Sequence, residues 1–163
     1  MRLERLLCAI VMTLGSAVVN GSQAESPAAL PERLRAHVKN EQFQVVTSLR
    51  GLPLGVRAAL GKLFGSYALD IAEPGEKFQA TGVAGSSTLP IRRLFAAGCS
   101  YDHCLVYYER GGRSRTWKAA LFQWTPEETR LESGGTAPGG LMTVEAVRSA
   151  VLVGAIKSSK GVW

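Results

Sequence analysis

Three strand-like runs follow one another in the second half of the chain, and only short turns separate them. They cover residues 91–98, 104–110 and 113–124, and they contain many of the aliphatic, aromatic and β-branched residues that favour strands. Parallel strands need a crossover of a dozen or more residues, so runs this close together predict antiparallel pairing. The fold of this chain must therefore accommodate an antiparallel meander.

The second turn of this meander, Gly111-Gly112, has the composition of a favoured two-residue hairpin turn. Such a turn places Tyr108 opposite Arg115, and Val106 opposite Trp117. The arginines around the turn and the neighbouring aromatic residues then form one surface, suited to an anionic polymer. That surface consists of Arg110, Arg113, Arg115, Tyr108 and Trp117.

Helical patterns flank the meander on both sides. Residues 31–39 predict a short helix with a proline in its first turn. Apolar residues recur at helical spacing over residues 56–64, and Gly65 is a predicted stop. Thr143 is the predicted N-cap of a last helix, which Gly154 ends.

Alternating residues 43–49 predict one further strand, residues 73–76 a turn, and residues 133–140 a glycine-rich loop. Together these patterns predict an α+β fold: an antiparallel sheet of about five strands in a meander, with two or three helices covering one face.

Residues 1–24 have the composition of a secretory signal peptide, with Arg2 and Arg5 before the apolar residues 6–19. As a helix this apolar stretch rises about 21 Å, short of the roughly 30 Å hydrocarbon core of a bilayer. We therefore predict a cleaved signal, a mobile tether over residues 25–31 and a single domain over residues 32–163. This predicts a periplasmic or secreted protein without a stable membrane span after cleavage.

Cleavage would also remove Cys8 and leave two of the three cysteines, Cys99 and Cys104. In an oxidising compartment an isolated pair is the expected composition of one disulfide. The bond would close a hairpin turn and hold Tyr101, Asp102 and His103 outward, as a rigid binding loop that loses little entropy when it enters a partner. In the alternative interpretation the disulfide only stabilises the turn. Polar residues are common in turns, so the three side chains need not have a binding role.

The sequence gives little support to catalysis or to metal binding. Its two histidines are His37, predicted as an exposed helix residue, and His103, and it lacks the motifs Gly-x-Ser-x-Gly and His-Glu-x-x-His. A metal site built from both cysteines, His103 and Asp102 would lack the Cys-x2-Cys spacing of structural zinc, and a disulfide offers no thiolates. We therefore predict no enzyme, no metal and no cofactor.

The six residues Cys-Ser-Tyr-Asp-His-Cys at positions 99–104, together with the order of the elements, resemble the periplasmic inhibitors of vertebrate lysozyme, the Ivy family. That resemblance implies a signal peptide, a helix-covered antiparallel sheet and a protruding Cys-x4-Cys loop that plugs a lysozyme active site. In the family a His precedes the Asp and meets the catalytic carboxylates, whereas here Asp102 precedes His103.

Two functions without catalysis follow. The first is inhibition of a cell-wall hydrolase, a lysozyme or lytic transglycosylase, through Tyr101, Asp102 and His103. The alternative is an envelope protein that binds an anionic polymer through the arginine–aromatic surface. Signal cleavage lowers the net charge from +6 to +5. A protein that is still positively charged favours a hydrolase of neutral or acidic surface. We expect no nucleic-acid partner for an exported protein.

Overall fold

The computed structural model describes residues 30–66, 68–81, 88–159 and 163. The predicted signal peptide lies outside the described residues, as does most of the predicted tether. Within the described ranges, no helix is both long enough and apolar enough to cross a lipid bilayer.

The described residues form three α-helices, a single 3-10 turn and one antiparallel sheet of six strands, which confirms the predicted α+β class with one strand more than expected. The strands lie in the sheet in chain order, β1 to β6. The elements are α1 (Glu32–Asn40), β1 (Gln44–Val46), the 3-10 turn (Leu49–Gly51), α2 (Leu54–Phe64), β2 (Arg92–Cys99), β3 (His103–Arg110), β4 (Thr116–Trp124), β5 (Thr129–Ala137), α3 (Val144–Leu152) and β6 (Lys157–Ser158).

Helices cover both faces of the sheet, and not one face as predicted. On the first face Leu105 and Tyr107 of β3 pack in one core with residues of α1 and α3. On the second face Val106 and Tyr108 pack in a separate core with residues of α2. Consecutive strand residues point to opposite faces, so an apolar strand such as β3 needs a cover on each side.

The predicted register between β3 and β4 is wrong. Tyr108 pairs with Lys118 and not with Arg115, a shift of three residues, because residues 111–115 all lie in the connection. An odd shift moves every side chain of a strand to the other face. Trp117 therefore lies on the first face, stacked on Tyr107 with ring centroids 5.2 Å apart, and Tyr108 lies on the second face.

An ion-pair network around Glu109 includes an arginine of the longer connection. The Glu109 side chain is fully buried, Arg93 Nη2 lies 3.0 Å from its Oε2, and Arg115 donates to its Oε1. A buried carboxylate without partners is costly. A two-residue turn would pair Arg115 within β4, whereas the longer connection lets it reach back to Glu109.

The glycine-rich segment predicted as a loop is largely strand β5. A Cβ atom on Gly134 would lie 2.6 Å from the Ala119 carbonyl oxygen, and one on Gly135 would lie 1.9 Å from that of Lys157. These two glycines therefore allow the neighbouring strands to approach closely. A glycine-rich sequence is equally typical of a loop, so composition alone does not distinguish the two structures.

The predicted helix ends at Gly65 and Thr143 are confirmed. Gly65 follows α2 with φ of 65°, the left-handed conformation that glycine adopts without strain. Thr143 precedes α3, and its side-chain oxygen accepts a hydrogen bond from the Ala146 amide at 3.1 Å. The turn predicted at residues 73–76 is also present, with the Glu76 amide donating to the Glu73 carbonyl at 3.1 Å.

We expect Thr143→Ala to lower the free energy of unfolding by about 1 kcal/mol, because it removes the only side-chain cap of α3. Urea denaturation measures this loss. Ser149→Ala, which removes an exposed hydroxyl from the same helix, is the matched control and should change the value by less than about 0.5 kcal/mol. Equal effects of the two substitutions would contradict a capping role.

Candidate functional site

The connection between β2 and β3 is a tight turn over residues 100–103, called the tip turn below. The Ser100 amide donates to the His103 carbonyl at 2.7 Å, and the His103 amide donates to Ser100 Oγ at 3.1 Å. Immediately before and after it, Cys99 and Cys104 pair across the two strands and form a disulfide. The predicted disulfide is thus present and closes the turn.

The tip turn presents its three candidate binding residues differently. Tyr101 lies at the apex with 95% of its surface exposed, whereas His103 has only 3% exposed and Asp102 is intermediate. The prediction that all three point outward is therefore wrong for His103. This residue begins β3, on the same side of the strand as Leu105 and Tyr107, where α1 covers it.

Four side chains from two distant segments meet behind the tip turn, and their ligating atoms all lie within 4.8 Å of one another. We call them the histidine–carboxylate cluster: His37, Glu41, Asp102 and His103. His37 belongs to the last turn of α1, and Glu41 directly follows that helix. Both histidines of the chain are therefore in one place.

Each imidazole in the cluster contacts both carboxylates. His37 Nε2 lies 3.1 Å from Asp102 Oδ1 and is also paired with Glu41 Oε1. His103 Nδ1 lies 2.8 Å from Asp102 Oδ1 and 3.5 Å from Glu41 Oε1. The two rings meet edge to face, with centroids 4.6 Å apart.

Further hydrogen bonds attach the tip turn to its surroundings. Ser100 Oγ donates to Glu41 Oε2, on the far side of that carboxylate from the imidazoles, and the Trp124 amide donates to the Asp102 carbonyl at 2.8 Å. The turn is thus held by the disulfide, by the segment after α1 and by the end of β4. A turn fixed at three points keeps its apex in one position.

The histidines also set the ionisation of Asp102. Burial by itself raises the pKa of this carboxyl group, but hydrogen bonds from His103 and His37 outweigh burial and hold the pKa below its ordinary value of 3.8. Asp102 therefore carries its negative charge at any pH near neutrality.

Two depressions adjoin the tip turn. A cavity of about 310 Å³ is lined by His37, Asp102 and His103 together with Arg33 and Arg130. A wider groove of about 1090 Å³ lies beside Tyr101 and Asp102 and extends past Val45 and Trp124 to Glu127. The tip turn thus forms a ridge with one depression behind the cluster and another beside its apex.

The arginine–aromatic surface predicted from sequence does not form as one surface. Tyr108 is fully buried, which raises its pKa, and Trp117 stacks on the other face of the sheet. Arg113 and Arg115 are exposed in the β3–β4 connection, Arg110 is half-buried, and Arg115 is engaged by Glu109. Tyr108 is buried because α2 covers its face of the sheet, where its ring meets that of Phe64.

The turns at the two ends of the sheet differ in their charged residues. Asp102, Glu127 and Glu128 lie in the turns at the tip end, where neither residues 100–103 nor residues 125–128 include a lysine or arginine. The arginines of the β3–β4 connection lie at the other end, separated by the eight residues of β3, about 26 Å at the usual rise per residue.

Two members of the cluster, His37 and Glu41, are not identified as site residues by the sequence pattern. Their spacing of four residues places them on one side of a helix, which is a usable signal for a pair of ligands or hydrogen-bonding groups. The predicted helix ended at residue 39, before Glu41, and no local pattern relates His37 to Asp102, 65 residues away. Only tertiary packing brings α1 to the tip turn.

Comparison with protein-family models, with curated proteins and with solved structures finds no match for this chain. The resemblance to the lysozyme inhibitors accordingly has only the six-residue span and the element order in its support.

The lowered pKa of Asp102 predicts a pH dependence of stability in metal-free buffer. A carboxylate with a lowered pKa in the folded state stabilises the fold above its ordinary pKa, and that contribution is lost as the pH falls through the folded-state value. We expect the free energy of unfolding to fall below about pH 4, and to fall less steeply in Asp102→Asn. Urea denaturation at a series of pH values measures both slopes.

Glu127→Gln, which removes an exposed carboxylate from the neighbouring turn, is the control and should keep the wild-type slope. The same slope in Asp102→Asn and in the wild-type protein would contradict the role of this carboxylate.

Proposed function

We propose that this protein binds another protein through the tip turn, and that the partner is a cell-wall hydrolase, a lysozyme or lytic transglycosylase, whose activity it inhibits. One observation carries the proposal: Tyr101 stands almost fully exposed at the apex of a turn that a disulfide closes. An aromatic side chain gains nothing for the fold in that position.

The physical advantage of such a turn is its rigidity. Ordering a mobile loop on binding costs free energy, and a loop already held in its bound shape avoids most of that cost. Tyrosine is among the residues enriched at binding hot spots, because its ring gives a large contact area and its hydroxyl a hydrogen bond. A closed turn carrying Tyr101 is therefore suited to entering a cleft.

The groove beside the apex extends this contact surface. It contains the half-buried Trp124 and the exposed Val45, with polar residues between them. An inserted apex flanked by an apolar and aromatic groove matches the arrangement of a protein interface, in which a few buried anchors are surrounded by a polar rim.

The charges at the tip end indicate the kind of partner surface. The net charge of the whole chain favoured a neutral or acidic hydrolase, but the turns on either side of the apex contain carboxylates and no lysine or arginine. Asp102, Glu127 and Glu128 make the tip end locally acidic. Complementary charges speed encounter and align partners, so we infer a cleft with a basic rim.

The proposed location is the periplasm or the exterior of the cell. The signal-like residues 1–24 and the disulfide both support export, because disulfides persist in oxidising compartments. A cell-wall hydrolase acts in those same compartments.

In the proposed inhibitory mode Tyr101, and not His103, is the inserted side chain. We therefore expect Tyr101→Ala to weaken inhibition at least about 30-fold, the loss of one hot-spot residue, with little change in melting temperature. The assay is turbidity loss of a bacterial cell-wall suspension under a panel of lysozymes and lytic transglycosylases, with a titration of the oxidised protein. The matched control is Val153→Ala, an exposed apolar side chain at the end of α3, which should inhibit as wild type does.

Two results would overturn this proposal. One is unchanged lysis across the whole panel at stoichiometric protein, and the other is equal inhibition by wild type and Tyr101→Ala. Salt-sensitive binding to peptidoglycan or lipopolysaccharide that is lost in Arg113→Ala, without inhibition of any enzyme, would establish the anionic-polymer alternative instead.

A further inference from the structure

We propose that the histidine–carboxylate cluster binds one divalent transition-metal ion, with Zn²⁺ as the ion that its donor atoms suit best. The inference goes beyond inhibition and does not depend on it. It rests on the donor atoms, their spacing and the way in which neighbouring groups hold them.

The spacing of the donor atoms fits a first coordination shell. Zn²⁺ lies about 2.0–2.1 Å from imidazole nitrogen and carboxylate oxygen, so donors at the corners of a tetrahedron are roughly 3.3 Å apart. In the cluster His37 Nε2 and Asp102 Oδ1 are 3.1 Å apart, and His103 Nδ1 lies 2.8 Å from Asp102 Oδ1 and 3.5 Å from Glu41 Oε1. These distances bracket the tetrahedral value.

Each inward-facing imidazole nitrogen of the cluster has two carboxylate oxygens as neighbours. One imidazole nitrogen carries at most one proton, yet His37 Nε2 contacts both Glu41 and Asp102. Asp102 Oδ1 in turn faces the nitrogens of both histidines. A single cation among the four groups would satisfy every inward-facing lone pair at once, with both imidazoles neutral.

Neighbouring groups orient the ligands in the way that metal sites require. Ser100 Oγ donates to Glu41 Oε2 and leaves Oε1 for the cluster, and the His103 side chain is almost completely buried with Nδ1 directed inward. Such supporting hydrogen bonds fix ligand geometry and are worth 10–100-fold in metal affinity in other proteins. The disulfide fixes the turn that supplies Asp102 and His103.

The donor set also decides the class of ion. Two nitrogens and two carboxylate oxygens suit Zn²⁺ and its transition-metal neighbours, whereas Mg²⁺ and Ca²⁺ prefer oxygen donors alone. The disulfide leaves no thiolate to bind a metal. The proposed site therefore uses His37 and Glu41 in place of Cys99 and Cys104, which belonged to the metal site weighed in the sequence analysis. The adjoining cavity of about 310 Å³ provides an entry path.

Isothermal titration of the tag-free, oxidised full chain with ZnCl₂, after chelator treatment and chelator removal, tests the inference. We expect one ion per chain, and in His37→Gln an affinity at least about 100-fold lower, since a direct ligand should matter no less than a supporting group. His37 is 44% exposed at its side chain, so this variant should fold, as circular dichroism and the melting temperature can verify. Glu41→Gln is a second variant and should also weaken binding.

Glu32→Gln is the matched control, because Glu32 is an exposed carboxylate on the same helix and outside the cluster; it should bind as wild type does. Binding of Co²⁺ supplies an independent readout, with the intense visible absorption of four-coordinate cobalt in the wild type and its loss in His37→Gln. Mg²⁺ in large excess should not displace Zn²⁺.

Absence of Zn²⁺ binding by the folded wild-type protein would overturn the inference, as would equal affinities of wild type and His37→Gln, or equal competition by Mg²⁺. Tyr101→Ala should bind Zn²⁺ normally, so failure of the inhibitor assay and failure of metal binding are separate outcomes.

Discussion

Burial of β3 on both of its faces is the constraint on which the remaining architecture depends. Leu105 and Tyr107 point to one side, Val106 and Tyr108 to the other, and all four are fully or almost fully buried. Burying one such side chain is worth about 1.5–3 kcal/mol, so neither face can be left open to water. The helices are therefore divided between the faces, with α1 and α3 on one and α2 on the other.

That division of helices creates the candidate site. Because α1 covers the first face at the end where β3 begins, its last turn meets the tip turn, and His37 reaches Asp102 and His103. The same packing buries His103. From its position between a turn and a cysteine, this residue would be expected at the surface. The turn then exposes one large side chain, Tyr101, and keeps its titratable groups behind the apex.

The turns at the two ends of the sheet differ in charge, so the net charge of the chain does not describe the surface around the apex. Arginines collect where β2 begins and β3 ends, around the buried Glu109, while carboxylates collect at the tip end. A partner that approaches the tip turn meets the acidic end first, since fields in salt solution fade over about 10 Å and the basic end is farther away than that.

Local sequence alone determined the antiparallel meander, the disulfide, the end of α2 at Gly65 and the cap of α3 at Thr143, because each depends on residues within a few positions of one another. Three features needed the tertiary structure. The β3–β4 register lets Arg115 reach the buried Glu109, the extension of β5 brings Gly134 and Gly135 against the backbone of β4 and β6, and the cluster depends on contacts across 65 residues. The partners of β5 and of the cluster are distant in sequence, whereas Arg115 is only six residues from Glu109 and reaches it through the conformation of the connection.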